Sequence, residues 1–443
     1  MRHYLFNSIL SNKIVRSIFS LSVSQILKYG VNVFISVWIV RYLGVEKFGN
    51  FSYILSLTGI ISTFSGLGIQ AIITKKLIEF KQQRELILGT SMAIVGVAGV
   101  IAFLVQNILV VIIHSNDIEL IKMSLISSII FLIEFVKFFT YVYESETKSF
   151  VVARLNNISL ITSTIAKVVV IYFNLGAYLI VATYSLEVII LGALLVYSYK
   201  RDYGITKEFK VNKLLAKSIL SDSLPFFFSG LMIGVYMKVD QIMIRNYLGS
   251  RESGIFAVAV RLTEIWYFLP LVLQTSFFPK LHESRDNKNE FRKNLDLLYS
   301  IMLFFSFVVI ISYLIFSKFI VNFLYGQEFD KASEVLRISV FALLFVSIGV
   351  ARNSYMISKG LNRLYLICTI LGAIFNILLN AILLPVIGIM GSAIATVVSY
   401  SIAAHFSGLL FKPLRCEYRQ INRLFFSLQF IIKLKAFLNG KKN

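Results

Sequence analysis

Arg261 and Glu264 stand three residues apart on one helical face, inside a run of apolar residues. A guanidinium and a carboxylate placed in hydrocarbon are costly unless they pair with each other or take a ligand. Two arrangements satisfy them: a mutual ion pair, or Arg261 holding an anion while Glu264 exchanges a proton or coupling cation. Protonation of a carboxylate beside a guanidinium frees the cation, so the second arrangement is a switch. Upstream, Lys238, Gln241 and Arg245 share one face, with Asp240 next to them. Ser22, Gln25, Tyr29, Asn32 and Ser36 recur at spacings of three and four, a polar stripe adjoined by Lys28. Lys167, Glu187 and Arg352 are further charges within apolar runs. In-span cations (Lys28, Lys167, Lys238, Arg261, Arg352) outnumber in-span acids (Glu187, Asp240, Glu264), and a cavity so lined favours an anionic substrate such as a phosphate or pyrophosphate head group. The candidate substrate-binding residues are therefore Lys28, Asn32, Lys167, Lys238, Arg261 and Arg352. The candidate ion-coupling residues are Glu264, Asp240 and Glu187.

Other chemistries find no footing. The two cysteines, Cys368 and Cys416, form neither a disulfide framework nor a CxxC pair. His3, His114, His282 and His405 are scattered without metal-ligand spacing, so no metal and no cofactor is expected. The face of Glu134, Lys137, Tyr141 and Glu144 reads as a solvated helix end.

These charges must be positioned by membrane helices. Of 443 residues, 57% are hydrophobic and 15% charged, far from the composition of a soluble domain. Apolar runs of about 20 residues match a hydrocarbon core roughly 30 Å thick. Twelve spans are predicted, near 19–40, 51–73, 86–110, 118–139, 157–173, 178–199, 219–243, 255–278, 295–316, 332–357, 364–384 and 389–411. The chain carries a net charge of +21, which in a soluble protein would suggest nucleic acid. Its distribution says otherwise. Of 44 Lys and Arg, 30 lie before span 1 or after even-numbered spans, and six in the alternate loops. That bias places both termini in the cytoplasm, and no nucleic-acid partner is expected. The first span is too long for a cleavable signal and lacks a small-residue cleavage site. Residues 412–443 form a basic tail with an apolar patch at 424–432. The tail reads as an amphipathic helix on anionic lipid, with a further short span as the alternative. No loop is long enough to fold as a domain, so any site lies within the helices.

The segment from Arg41 to Phe51 returns from Asn246 to Phe256, sharing Tyr42/Tyr247, Leu43/Leu248, Gly44/Gly249, Gly49/Gly254 and Phe51/Phe256. Each copy follows the first span of a group of six. An even separation keeps the two groups in the same orientation, a parallel repeat of the kind that places substrate between two halves of a transporter. The expected organisation is an N-terminal lobe, 1–210, a C-terminal lobe, 211–411, and the tail. Pro225 in span 7 is a potential hinge, and Gly230 with Gly234 reads as close helix packing.

Several segments resemble one family: Arg41-Tyr-Leu-Gly-Val-Glu-Lys-Phe-Gly, Lys238-Val-Asp-Gln-Ile-Met-Ile, and Gly254-Ile-Phe-Ala-Val-Ala-Val-Arg-Leu-Thr-Glu264. Phe277-Phe-Pro-Lys-Leu281 and Leu384-Pro-Val-Ile-Gly-Ile-Met-Gly-Ser-Ala393 complete the set. In order, topology and length the chain is similar to the O-antigen and polysaccharide-repeat flippases of the multidrug/oligosaccharidyl-lipid/polysaccharide exporter superfamily. The resemblance implies an all-α integral membrane protein of about 12 transmembrane helices. They would form two parallel-repeat six-helix lobes in a V around a central cavity. It further implies transfer of undecaprenyl-diphosphate-linked oligosaccharide from the cytoplasmic to the periplasmic leaflet of the inner membrane. Alternating access driven by a proton or sodium gradient is the implied mechanism. Membrane lipid, a polysaccharide polymerase and a chain-length regulator are the implied partners, and no catalysis is expected. The alternatives are a multidrug/cation antiporter or a lipid II flippase of the same superfamily, and a membrane polysaccharide polymerase. A cationic-drug cavity would be acid-rich, and a polymerase would need a large periplasmic loop.

Overall fold

The computed structural model describes residues 13–204, 209–284, 286–426 and 430, apart from the side chains of 13–29, 32, 33, 279, 288, 362 and 426. Among these residues all regular structure is helical, as a bilayer demands: only helices and closed barrels satisfy every backbone group without water. Among the described residues ten helices are long and apolar enough to cross a bilayer, or eleven when the pair Ile118–Leu132 and Glu134–Ser145, bent by 41°, is counted as one. The difference from twelve lies at the start of the chain. Helix α1 (Lys13–Gly66) runs for 54 residues, about 80 Å at the α-helical rise, and cannot be a single crossing.

Gly44 divides α1. It stands at φ 68°, ψ 179°, a region open essentially to glycine alone. Gly249, its partner in the sequence repeat, joins α8 (Lys213–Leu248) to α9 (Ser250–Glu264) at φ 91°, ψ −179°. Two similar sequences thus make the same turn at corresponding places, and Phe51 and Phe256 are both buried just beyond it. Nothing lies within 4 Å of a Cβ added at either glycine, so an alanine there meets only backbone strain. Gly44→Ala and Gly249→Ala are each expected to cost about 1–3 kcal/mol, and the double variant the sum, because the sites share no partner. Thermal unfolding of the purified variants checks this; an unchanged midpoint would show that the turns relax.

The remaining helices are α2 (Gln70–Glu79), α3 (Arg84–Ile113), α4 (Ile118–Leu132), α5 (Phe138–Ser145), α6 (Ser149–Tyr172) and α7 (Ala177–Tyr203). After α9 come α10 (Phe268–Glu283), α11 (Lys288–Tyr325), α12 (Ala332–Ser339), α13 (Ala342–Ser358), α14 (Asn362–Ile387), α15 (Ile389–Ser401), α16 (Ser407–Leu410) and α17 (Arg415–Phe426). A π-helical turn, Ile402–Phe406, links α15 to α16.

The chain divides into two compact units, Met1–Gly234 and Val235–Asn443, and the division falls inside α8. The physical reason is close packing in the first unit. Gly230 and Gly234 both lie over Thr63, and Gly68 abuts the backbone of Phe226 and Phe227, so the first half of α8 belongs with α1. The glycine pair thus serves helix packing, as its spacing suggested. Inside this unit Ile73, Leu88, Val142, Leu195 and Ile219 form one core. In the second unit Leu298, Leu303, Val335, Leu343 and Ala393 are buried. Large apolar side chains such as Ile101, Ile315 and Val386 face outward, towards lipid.

Candidate functional site

In the second unit, the C-terminal half of α8 carries Lys238 and Asp240 at a level flanked by α14 and α15. Asp240 is 5% exposed. Its Oδ1 accepts from Asn380 Nδ2 at 2.9 Å, and its Oδ2 accepts from the Thr396 hydroxyl. Asn380 is itself held in place: the same amide donates to the Asn376 carbonyl at 2.9 Å, and its Oδ1 accepts from Ser392 at 2.6 Å. Asn376 donates onward to Ser399 at 3.2 Å. The helical period explains the cluster: Asn376 and Asn380 are one turn apart on α14, and Ser392, Thr396 and Ser399 stack on α15. A carboxylate is thereby buried among neutral amides and hydroxyls, with no ion-pair partner among the described residues. Such a group gains from taking up a small cation or a proton.

Lys238 turns to a different acid. Its Nζ donates to Glu264 Oε1 and Oε2 at 3.1 and 3.3 Å, bridging α8 to α9, and both side chains keep about a third of their surface accessible. Arg261 lies one turn before Glu264, half-buried. Nearby, the rings of Tyr236 and Tyr400 stack at 4.2 Å. Gln241 bonds Ser253, tying α8 to α9 beside the Gly249 turn.

Arg352 is placed differently. It is 2% exposed, and its Nε meets Glu417 Oε2 at 3.1 Å. Its Nη1 donates to the Ala404 carbonyl in the π-helical turn at 2.9 Å and to Ser407 at 2.8 Å. Glu417 also accepts from the Tyr299 hydroxyl. Burial pushes the Glu417 carboxyl above its ordinary value, although the Arg352 charge and the Tyr299 bond pull the other way. Arg352, one of the residues expected to meet substrate, ties α13 to the C-terminal helix.

In the first unit, Lys167 and Glu187, assigned separate roles on sequence, are brought together. Lys167 is fully buried, 3.4 Å from Glu187 and 3.3 Å from Ser163, with its ammonium 4.3 Å from the Tyr184 ring centre. Glu134 accepts from Ser65 and Lys137 at that polar helix end. At the turn after α5, burial opposes the charge of Glu146, but hydrogen bonds from Lys148 and Tyr203 and the Arg84 guanidinium outweigh it and hold the carboxyl below its usual value. The side chains of Lys28 and Asn32 lie outside the described residues.

Sequence reasoning found Asp240 but missed its partners Asn376, Asn380, Ser392 and Thr396, and it missed Glu417. The spacing of two asparagines four apart in an apolar span was the available signal. For Glu417 it was being the sole acid of residues 412–443. Among the described residues no group of three His, Cys, Asp or Glu could hold a metal.

Comparison with known proteins bears on this arrangement. The family model described as "Polysaccharide biosynthesis protein" matches residues 14–284, and that of the lipid II flippase MurJ matches 260–433. The capsular polysaccharide biosynthesis protein CapF of Staphylococcus aureus is 26% identical over 205 residues, 45% of this chain and 51% of CapF. The probable low-salt glycan biosynthesis flippase Agl15 of Haloferax volcanii is 26% identical over 194 residues, 42% of this chain and 40% of Agl15. The chain thus spans about half the length of CapF, or less for Agl15. The structure of lipid II flippase MurJ in an inward closed conformation superposes with a TM-score of 0.75 at 17% identity, over 96% of this chain and 93% of that one. That likeness is one of fold.

Proposed function

The chain belongs to the polysaccharide biosynthesis protein family, and from that premise we propose that it is a flippase for lipid-linked oligosaccharides. The substrate is an O-antigen or capsule repeat unit on undecaprenyl diphosphate, carried from the cytoplasmic to the periplasmic leaflet by alternating access. Both termini are cytoplasmic in this reading, and a polymerase and chain-length regulator receive the unit outside. The single observation that carries it is the accessible Lys238–Glu264 pair beside a buried Asp240 that has only neutral donors. The pair supplies a cation that an anion can claim, and Asp240 supplies a charge that a coupling ion can cancel.

The cycle follows from competition for Lys238. A diphosphate offers more charge and more acceptor oxygens than one carboxylate, so it displaces Glu264 from the ammonium. Arg261, one turn away on α9, is the second cation of the proposed anion site. Asp240 takes up a proton or sodium ion from the outside and releases it inside, which ties the return of the empty carrier to the ion gradient.

Replacing Lys238 separates transport from stability. Partly exposed ion pairs contribute roughly 0.2–1 kcal/mol, so Lys238→Ala is expected to fold almost as well as the parent. In a strain lacking the gene, it should leave surface glycan absent and lipid-linked repeat units accumulated on the inner leaflet, while Lys238→Arg restores part of the display. Normal glycan with Lys238→Ala would remove this residue from the mechanism. Drug sensitivity with intact glycan in the deletion strain would assign multidrug export instead.

A further inference from the structure

Helix α17 follows the last span directly, through a short turn at Lys412–Leu414. The tail was expected to lie on anionic lipid as an amphipathic helix with its apolar patch at 424–432; α17 packs its own apolar residues onto the rest of the second unit. Leu414, Glu417, Ile421 and Leu424 are all buried, Gln420 bonds Asp296 of α11, and Phe425 and Phe430 close on Phe307 of the same helix. Of the apolar patch at 424–432, Leu424, Phe425 and Phe430 lie among the described side chains; the rest lie outside them.

This docking changes the charge the helix presents. Glu417 is the only acid of residues 412–443, and the ion pair with Arg352 withdraws it from the surface. Arg415, Arg419 and Arg423 recur every four residues along the opposite, exposed face, preceded by exposed Lys412. Residues four apart drift by only about 40° around a helix, so the three guanidiniums form one stripe. A stripe of exposed guanidiniums, fixed beside the last residue of a membrane span, matches the phosphate layer of an anionic leaflet.

We propose that the outer face of α17 is a binding surface for the head groups of anionic phospholipids, and that binding there clamps the helix to the second unit. The clamp acts through Glu417, because whatever holds α17 holds that carboxylate against Arg352 and Tyr299, and so steadies α13, the π-helical turn and α11 together. The inference is independent of the transport reading.

The test uses the full-length protein in nanodiscs of pure phosphatidylcholine or of phosphatidylcholine with phosphatidylglycerol. Hydrogen exchange is followed over residues 412–426. With roughly 1 kcal/mol per basic residue near a charged surface, three arginines predict slowing of exchange on the order of 100-fold in the anionic discs. Arg415→Gln/Arg419→Gln/Arg423→Gln should abolish that difference, and 1 M salt should shrink it in the parent. A control, Lys200→Gln/Arg201→Gln/Lys210→Gln, removes as many cations from the first unit and should leave it intact. Equal exchange of the parent in both lipids overturns the proposal, as does equal loss in the control. Inorganic phosphate reproducing the protection in neutral discs also overturns it, since the surface would then bind free anions rather than a leaflet.

Discussion

Asp240→Asn is expected to abolish glycan display while leaving the protein folded and inserted. The substitution keeps the shape of the side chain and one of its acceptor oxygens, so Asn380 still has a partner. The new amide cannot accept from Thr396, and one impaired buried hydrogen bond costs on the order of 1 kcal/mol. What disappears is the charge, and with it the only feature of this cluster that can bind and release a cation or proton. The variant therefore imitates the loaded state permanently. Ion-gradient-driven transfer of a fluorescent lipid-linked oligosaccharide in proteoliposomes should fall to background. Downhill exchange without a gradient should survive better, because it needs no ion to be bound and released. Asp240→Ala, by contrast, leaves the Asn380 and Thr396 donors without an acceptor and should also lose about 1–3 kcal/mol of stability. Full gradient-driven transport by Asp240→Asn would refute the coupling role.

Arg352→Ala should act by an opposite route, through folding. The guanidinium is almost wholly enclosed and answers Glu417, the π-helical turn and Ser407 at once. Removing one partner of a buried ion pair strands the other charge, at a cost of about 3–5 kcal/mol. Against a typical total stability of about 5–15 kcal/mol, that is enough to deplete the protein from the membrane. Glu417→Ala should be nearly as severe, since it strands the arginine. The paired change Arg352→Met/Glu417→Leu should recover most of the loss, because two well-packed apolar side chains avoid the desolvation that the pair had to overcome. Fluorescence-detected size exclusion and thermal unfolding of the two single variants and the double variant measure the coupling energy directly. A stable Arg352→Ala protein that lacks surface glycan would return this residue to the substrate site.

The helical bilayer-crossing architecture, the repeat and most of the charged positions were legible in the residues alone. Hydrocarbon enforces this legibility, because each crossing must satisfy its own backbone hydrogen bonds and therefore announces itself as a long apolar run. The repeat of Gly44 and Gly249 was equally visible, since the turn admits essentially no other residue and the chain kept glycine in both copies. The identity of the costly groups, such as Asp240, Glu264 and Lys167, could also be read, because a charge among apolar neighbours stands out.

Only the tertiary structure decided who meets whom. Asp240 finds Asn380 across 140 residues and Thr396 across 156, and Lys238 takes Glu264 from the next helix. Arg352, which sequence placed with the substrate ligands, is claimed by a carboxylate from beyond the last span. Pairing of this kind depends on how helices rotate and pack against each other, and hydropathy carries no information on rotation. Neutral partners were hidden for a further reason: a lone asparagine or serine lowers the hydropathy of a span too little to be noticed. Its importance appears only when packing brings several of them around one buried charge.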